Sequence, residues 1–204
     1  IANKISRIYG IFNGTSNFIL SSMDLNKTSF KNTIKEAIKL GYAESNPSSD
    51  INGEDVASKV KILSSLSFNS FINHNIHIEG IKDIDVEDIK NTNKLGYKIK
   101  LMGFSEIINN KIYQRVHPTL VKKKSYIASV DGVLNAVIVE GKPVGKNIIQ
   151  GEGAGPSATT SALISDLSSI MRGNIKFPFS ISSKKRIEYS NGKITDLYLK
   201  SRKT

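Results

Sequence analysis

Whether this chain carries a sheet turns on "YKIKLMGFSEIINNKIYQRVHPTLV", residues 97–121. Two runs in it, "YKIKLMGFSEI" and "KIYQRVHPTLV", alternate or run apolar as strands do, and "INNKI" between them supplies a hairpin turn. A third run, "NAVIVEG" at 135–141, has the same character. The middle of the chain therefore reads as a mostly antiparallel sheet.

On the N-terminal side the period changes from two to that of a helix. "IYGIFNGTSNFILSSM", residues 8–23, reads as an apolar strand, a tight turn at Asn13-Gly14, and a helix entered through Thr15 or Ser16 as N-cap. "SFKNTIKEAIKLG", 29–41, places Phe30, Ile34, Ala37 and Ile38 on one face and ends at Gly41. A further helix starts at Gly53-Glu54-Asp55, where Val56, Val60 and Leu63 share a face and Ile62 and Leu66 broaden it. "IHIEGIKDI", 76–84, reads as strand and turn, and "VEDIKNTNKLG", 86–96, as a short helix closed by Gly96. On the C-terminal side, "IQGEGAGPSATTSALISDLSSIMRG", 149–173, is a glycine-dense loop entering a helix at Ser157 or Ala158. The fold class is α+β.

Composition narrows the function classes. At 204 residues, 39% of them hydrophobic, the chain suits one soluble domain, with or without an appendage. No run approaches the ~18 apolar residues of a membrane span. "IANKISRIYG" is too polar for a signal peptide, and a chain opening on Ile with a turn motif so early is expected to be a piece of a longer polypeptide. There is no cysteine, which removes disulfides, thiolate-bound zinc and thiol nucleophiles. His74 and His77 have helical metal-pair spacing but fall in a loop or short strand, so no metal is expected there. The net charge of +11 raises nucleic acid as a partner, yet the lysines are scattered and "VKKKS" at 121–125 is the one run. A solvated basic surface is expected, with neither nucleic acid nor membrane bound.

The chemistry concentrates in "LGYAESNPSSDINGEDVASKVKIL", residues 40–63. Asp55 and Lys59, at i and i+4, share a helix face distinct from the valine stripe. Alone, such a pair is an exposed ion pair contributing a few tenths of a kcal/mol. Glu44 and Asp50 lie in the loop that leads to this helix, and Pro47 and Gly53 stiffen it. Three carboxylates and an ammonium can thus converge, a set that would hold a small molecule bearing an ammonium while Lys59 serves an oxygen. Desolvation would lower the lysine pKa and Asp55 would raise it, and spacing does not say which prevails. "NGTSN", 13–17, offers backbone N–H groups at a helix start. "GEGAGPS", 151–157, lacks the P-loop lysine and any following βαβ unit. The residues by themselves lead to a small-molecule site.

Three motifs together resemble the homoserine dehydrogenase family. "GIFNGTSNFIL" resembles its G-I-x-N-G-T-x-N-[FY]-I-L signature, and "LGYAESNPSSDINGEDVASKVKIL" its G-Y-x-E-x-D-P-x-x-D-x-x-G-x-D-x-x-x-K catalytic segment. "GEGAGPSATTSALISDL" is similar to its closing GxGAG–Thr–helix segment. The similarity spans roughly residues 5–172. It implies an antiparallel sheet with helices packed on one face, forming the substrate-binding and dimerisation domain, here residues 1–172. Residues 173–204 would be a linker or the start of a further module. It implies a cytoplasmic oxidoreductase of threonine, methionine and isoleucine biosynthesis that reduces aspartate β-semialdehyde to homoserine with NADP or NAD.

By that similarity Lys59 corresponds to the proton donor. Glu44 and Asp55 fall on substrate-binding positions, Asp50, Tyr42 and Thr15 on pocket neighbours, and Gly155 on a cofactor-contacting glycine. The nucleotide-binding half, its lysine and the carbonyls of a monovalent-cation site would precede residue 1, so this chain alone is expected to be inactive. A homodimer or higher homo-oligomer is implied. Position 46, Asp in the family pattern, is Asn46, which takes one charge from the loop. The missing cysteine separates the chain from semialdehyde and glyceraldehyde-phosphate dehydrogenases, which form a thiohemiacetal. The alternative is a basic ligand-binding module of the same fold that has lost the reaction.

Overall fold

The computed structural model describes residues 3–72, 74–173 and 188–189. Most of the expected 173–204 linker lies outside the described residues. Five long strands run antiparallel to their neighbours: β1 (Lys4–Ile11), β3 (Tyr97–Ile108), β4 (Lys111–Lys122), β5 (Leu134–Lys142) and β6 (Gly145–Glu152). Two-residue strands β2 (His77–Ile78) and β7 (Glu188–Tyr189) each add a parallel pair to β4. The strand order is β2-β4-β3-β1-β5-β6. The β3–β4 hairpin is paired from Tyr97↔Lys122 to Ile108↔Lys111. Asn109 and Asn110 close it at φ 50° and 59°, the two left-handed residues that match the twist of the flanking strands.

Helices α1 (Gly14–Asn26), α2 (Phe30–Lys39), α4 (Glu54–Phe68) and α5 (Val86–Lys94) follow the sequence pattern, whereas the short helix α3 (Ser48–Asn52), which carries Asp50, forms within the stretch expected to be a loop. Ile19, Leu20 and Met23 of α1, Val56, Ala57 and Val60 of α4, and Ile89 of α5 pack on Ile8, Leu101 and Val116 of the sheet. The helices therefore cover one face, and α+β with a mostly antiparallel sheet is the architecture observed. The opposite face holds a smaller cluster of Ile11, Met102, Phe104, Val121 and Ile138, topped by a 3-10 turn at Tyr126–Ser129.

Four further local expectations are corrected. The cap of α1 is Asn13 rather than Thr15 or Ser16, because the Asn13 backbone is still extended and its side chain takes the Ser16 N–H. Residues 149–152, expected to begin a glycine-dense loop, are the end of strand β6 (Gly145–Glu152), exposed at every position. Its sequence therefore lacks the apolar alternation that marks a half-buried strand. Helix α6 (Pro156–Met171) starts at Pro156 with Gly155 as its cap, ahead of the expected Ser157 or Ala158. Ile62 and Leu66 do not broaden the buried face of α4; both are exposed.

Candidate active site

The site is built where β1 hands over to α1. The extended backbone of Asn13 ends the strand and its side-chain oxygen accepts from Ser16 N at 2.8 Å. That leaves the amide Nδ2 as donor. It reaches Asp50 Oδ1 at 2.6 Å and Asp55 Oδ2 at 2.9 Å. Asp50 belongs to α3 and Asp55 to the first turn of α4, and Gly53, at φ 84°, makes the break between the two helices. Asp50 and Asp55 thus approach each other because one buried amide bridges them.

Lys59 completes the cluster one turn along α4. Its Nζ donates to Asp55 Oδ2 at 2.7 Å and to the Phe12 carbonyl at 3.0 Å. Residues 12 and 13 therefore touch both ends of the group, the lysine through a carbonyl and the carboxylates through an amide. Two of the three ammonium protons are used, and the third is left for another acceptor. The Lys59 side chain is 43% exposed and that of Asp55 30%, so the cluster is open to a ligand rather than sealed in the core.

Thr15 and Tyr42 meet beside it: Thr15 Oγ1 donates to the Tyr42 carbonyl at 2.7 Å, and the Tyr42 ring lies 5.0 Å from Phe18. Asn46 Oδ1 accepts from Ser48 N at 3.4 Å and from Ser48 Oγ, at the first residue of α3, where Pro47 holds the N-cap position. Glu44 is exposed between α2 and α3, and no hydrogen bond or ion pair ties it to the cluster. Gly155 is exposed at the start of α6 with φ 110°, and an added Cβ would meet no atom within 4 Å. Among the described residues, no group of three His, Asp or Glu side chains is arranged to hold a metal ion.

Of the expected residues, Asp50, Asp55 and Lys59 come together, Thr15 and Tyr42 form an adjoining pair, and Glu44 and Gly155 stand apart. Asn13 and the Phe12 carbonyl were not anticipated from the sequence. The signal was present for Asn13: an asparagine ending an apolar strand before Gly-Thr-Ser is a good N-cap. Its reach to Asp50, 37 residues away, has no local signature.

The family model described as "Homoserine dehydrogenase" matches residues 1–168. The chain is 45% identical over 172 residues to homoserine dehydrogenase of Neisseria gonorrhoeae, covering 84% of this chain and 40% of that protein. Its structure is similar to a homoserine dehydrogenase from Thiobacillus denitrificans, with TM-score 0.82 and 44% identity over 87% of this chain and 41% of that one. A hyperthermophilic archaeal homoserine dehydrogenase mutant in complex with NADPH is similar at TM-score 0.68 and 29% identity, covering 84% of this chain and 49% of that one. The chain spans about 40% of the length of the first curated relatives it matches.

Proposed function

The chain belongs to the homoserine dehydrogenase family, and from that premise we propose that it forms the substrate-binding, catalytic part of an enzyme reducing L-aspartate 4-semialdehyde reversibly to L-homoserine. The observation that carries this reading is the Asn13–Asp50–Asp55–Lys59 cluster, an ammonium and a bridged carboxylate pair on one open surface. The carboxylates of Asp50 and Asp55, with Glu44 on the neighbouring loop, receive the substrate's own ammonium group. Lys59 faces the aldehyde oxygen. As negative charge builds there, an ammonium at about 3 Å stabilises it and then delivers a proton. Thr15 and Tyr42 frame the pocket.

The dinucleotide, NADPH or NADH, supplies the hydride when bound. In this chain Gly155 is the residue that fits contact with it, since its exposed turn is open to close backbone approach. Helix α6 beyond it is exposed along nearly its whole length, with Leu163, Ile164, Leu167 and Ile170 unburied. That suits a nucleotide-binding half, and any monovalent-cation site, supplied by chain outside these residues. Residues 1–172 would then be the substrate domain and 173–204 a linker.

The helix-free sheet face supports a homodimer. There Arg7 lies 4.6 Å from the Tyr9 ring and Arg115 4.9 Å from the Phe104 ring, in the Arg-and-aromatic chemistry that protein interfaces favour. No helix among the described residues is long and apolar enough to cross a membrane, and a cytoplasmic site of action is part of the proposal.

The direct test is kinetic. The intact protein containing this chain and its upstream region should oxidise NADPH or NADH when given the semialdehyde. Absence of turnover with both cofactors would refute the reading.

A further inference from the structure

A second charged cluster lies on the other side of α1. Lys100, on β3, is 1% exposed, yet its Nζ is surrounded by four acceptors. These are Val130 O and Asp131 Oδ1, both at 2.7 Å, Asn17 Oδ1 at 2.9 Å and Ser21 Oγ at 3.3 Å. A buried ammonium is expensive to desolvate, and an apolar side chain of similar volume would serve packing equally well. Burial pushes the Lys100 ammonium down from its ordinary pKa, with hydrogen bonding and charge from Asp131 working against that.

The partners of Lys100 are not scattered. Two lie on α1 and two on the turn of residues 130–131, and that turn is pressed against the start of the helix. Asn17 is itself buried, and its amide donates to Val130 O and Leu134 O, each at 3.0 Å. A Cβ on Gly14 would stand 2.7 Å from the Val133 carbonyl, so the first turn of α1 has no room to slide toward residues 130–134. Asn17 N in turn closes the first helical turn on the Asn13 carbonyl at 3.3 Å. Asn13 is the residue whose amide bridges Asp50 and Asp55.

We propose that Lys100 is a positioning residue: by clamping Asn17 and the 130–134 turn, it fixes the first turn of α1 in the one placement from which Asn13 reaches both carboxylates. It touches neither substrate nor Lys59, and it acts on the site through α1. The proposal rests on the functional reading above for its kinetic consequence, but the clamp itself is a claim about structure and can be tested apart from activity.

The test compares the intact protein with its Lys100→Met variant by two measurements. Kinetically, KM for the semialdehyde should rise about tenfold or more while kcat stays within about threefold, because ground-state carboxylate placement is lost and the proton donor is not. By hydrogen exchange, the amides of residues 14–17 and 130–134 should exchange faster while those of β3 and β4 are unchanged. Should Lys100→Met fail to fold, Asn17→Ala cuts the same link from the other side and carries the same two expectations. Unchanged KM with unchanged local exchange overturns the proposal, and so does uniform loss of protection through the domain, which marks a merely structural lysine. If the unsubstituted protein does not turn over the semialdehyde, the functional reading falls, and the exchange pattern alone decides the clamp.

Discussion

Lys59 and Asp55 sit one turn apart on α4 and meet at 2.7 Å through Asp55 Oδ2, the same oxygen that accepts from Asn13. In the proposed reaction Lys59 yields its proton once hydride arrival has turned the carbonyl oxygen into an alkoxide, a stronger base than the lysine amine left behind.

Lys59→Ala in the intact enzyme should therefore lower kcat by about 10²–10³-fold, the scale of losing one donor to a developing oxyanion. KM for the semialdehyde should change far less, because the carboxylate pair remains. Steady-state kinetics with NADPH and NADH check this. Full kcat in the variant would remove Lys59 from the reaction.

Asn13 performs two tasks with one side chain, and two substitutions separate them. Asn13→Ala loses the cap on α1, at a cost of about 1 kcal/mol, and also the bridge between Asp50 and Asp55. Asn13→Asp can keep the cap through its oxygen, but it sets a third carboxylate against the other two. Thermal melts should place the Asp variant above the Ala variant. Kinetics should show the larger KM increase for Asp, and the reverse order in KM would mean that the bridge does not organise substrate binding.

What the sequence disclosed follows from which patterns are local. The hairpin was legible because alternation over β3 and β4 and the Asn-Asn turn all lie within one stretch of chain. The Asp55–Lys59 pair was legible because helical spacing alone brings the two together. β6 was hidden because an exposed strand need not alternate, so Ile148 and Ile149 look like loop residues between glycines. Ile62 and Leu66 misled because apolar spacing on α4 continues around the helix past the edge of the sheet. The carboxylate bridge depends on where α3 comes to rest against the end of β1, a tertiary fact with no periodicity to announce it.

Asn46 departs from the family's Asp in charge, but the structure gives it a task that either residue performs. Its Oδ1 accepts from Ser48 at the start of α3, the helix that carries Asp50, and a carboxylate oxygen accepts the same bonds. The side chain is exposed, so the lost charge is screened by water. Asn46→Asp should leave KM for the semialdehyde within about twofold and raise the thermal midpoint slightly, through the added charge at the α3 start. A KM shift of tenfold in kinetics would show that position 46 senses substrate directly.

The acid limb of stability should centre on Asp131. Burial works to raise its pKa, but hydrogen bonds from Lys100 and Lys98 outweigh that and leave it below the ordinary carboxylate value. Asp24, beside Lys27 and Asn93, and Glu140, beside Lys146 and Tyr9, are lowered in the same way against their own burial. A carboxylate depressed in the folded state binds its proton more tightly when unfolded. Its contribution is therefore complete above the unfolded value, about pH 4 for Asp, and is lost as pH falls through the folded value. Thermal melts of the protein at steps from neutral pH down to about pH 3 should show the midpoint dropping chiefly below that point. Asp131→Asn should lower the midpoint at neutral pH and flatten the drop, since one of the three depressed carboxylates no longer titrates. An unchanged acid slope in that variant would mean that the Lys98–Asp131–Lys100 contacts add nothing to folding, with the two lysines served equally well by the neutral amide.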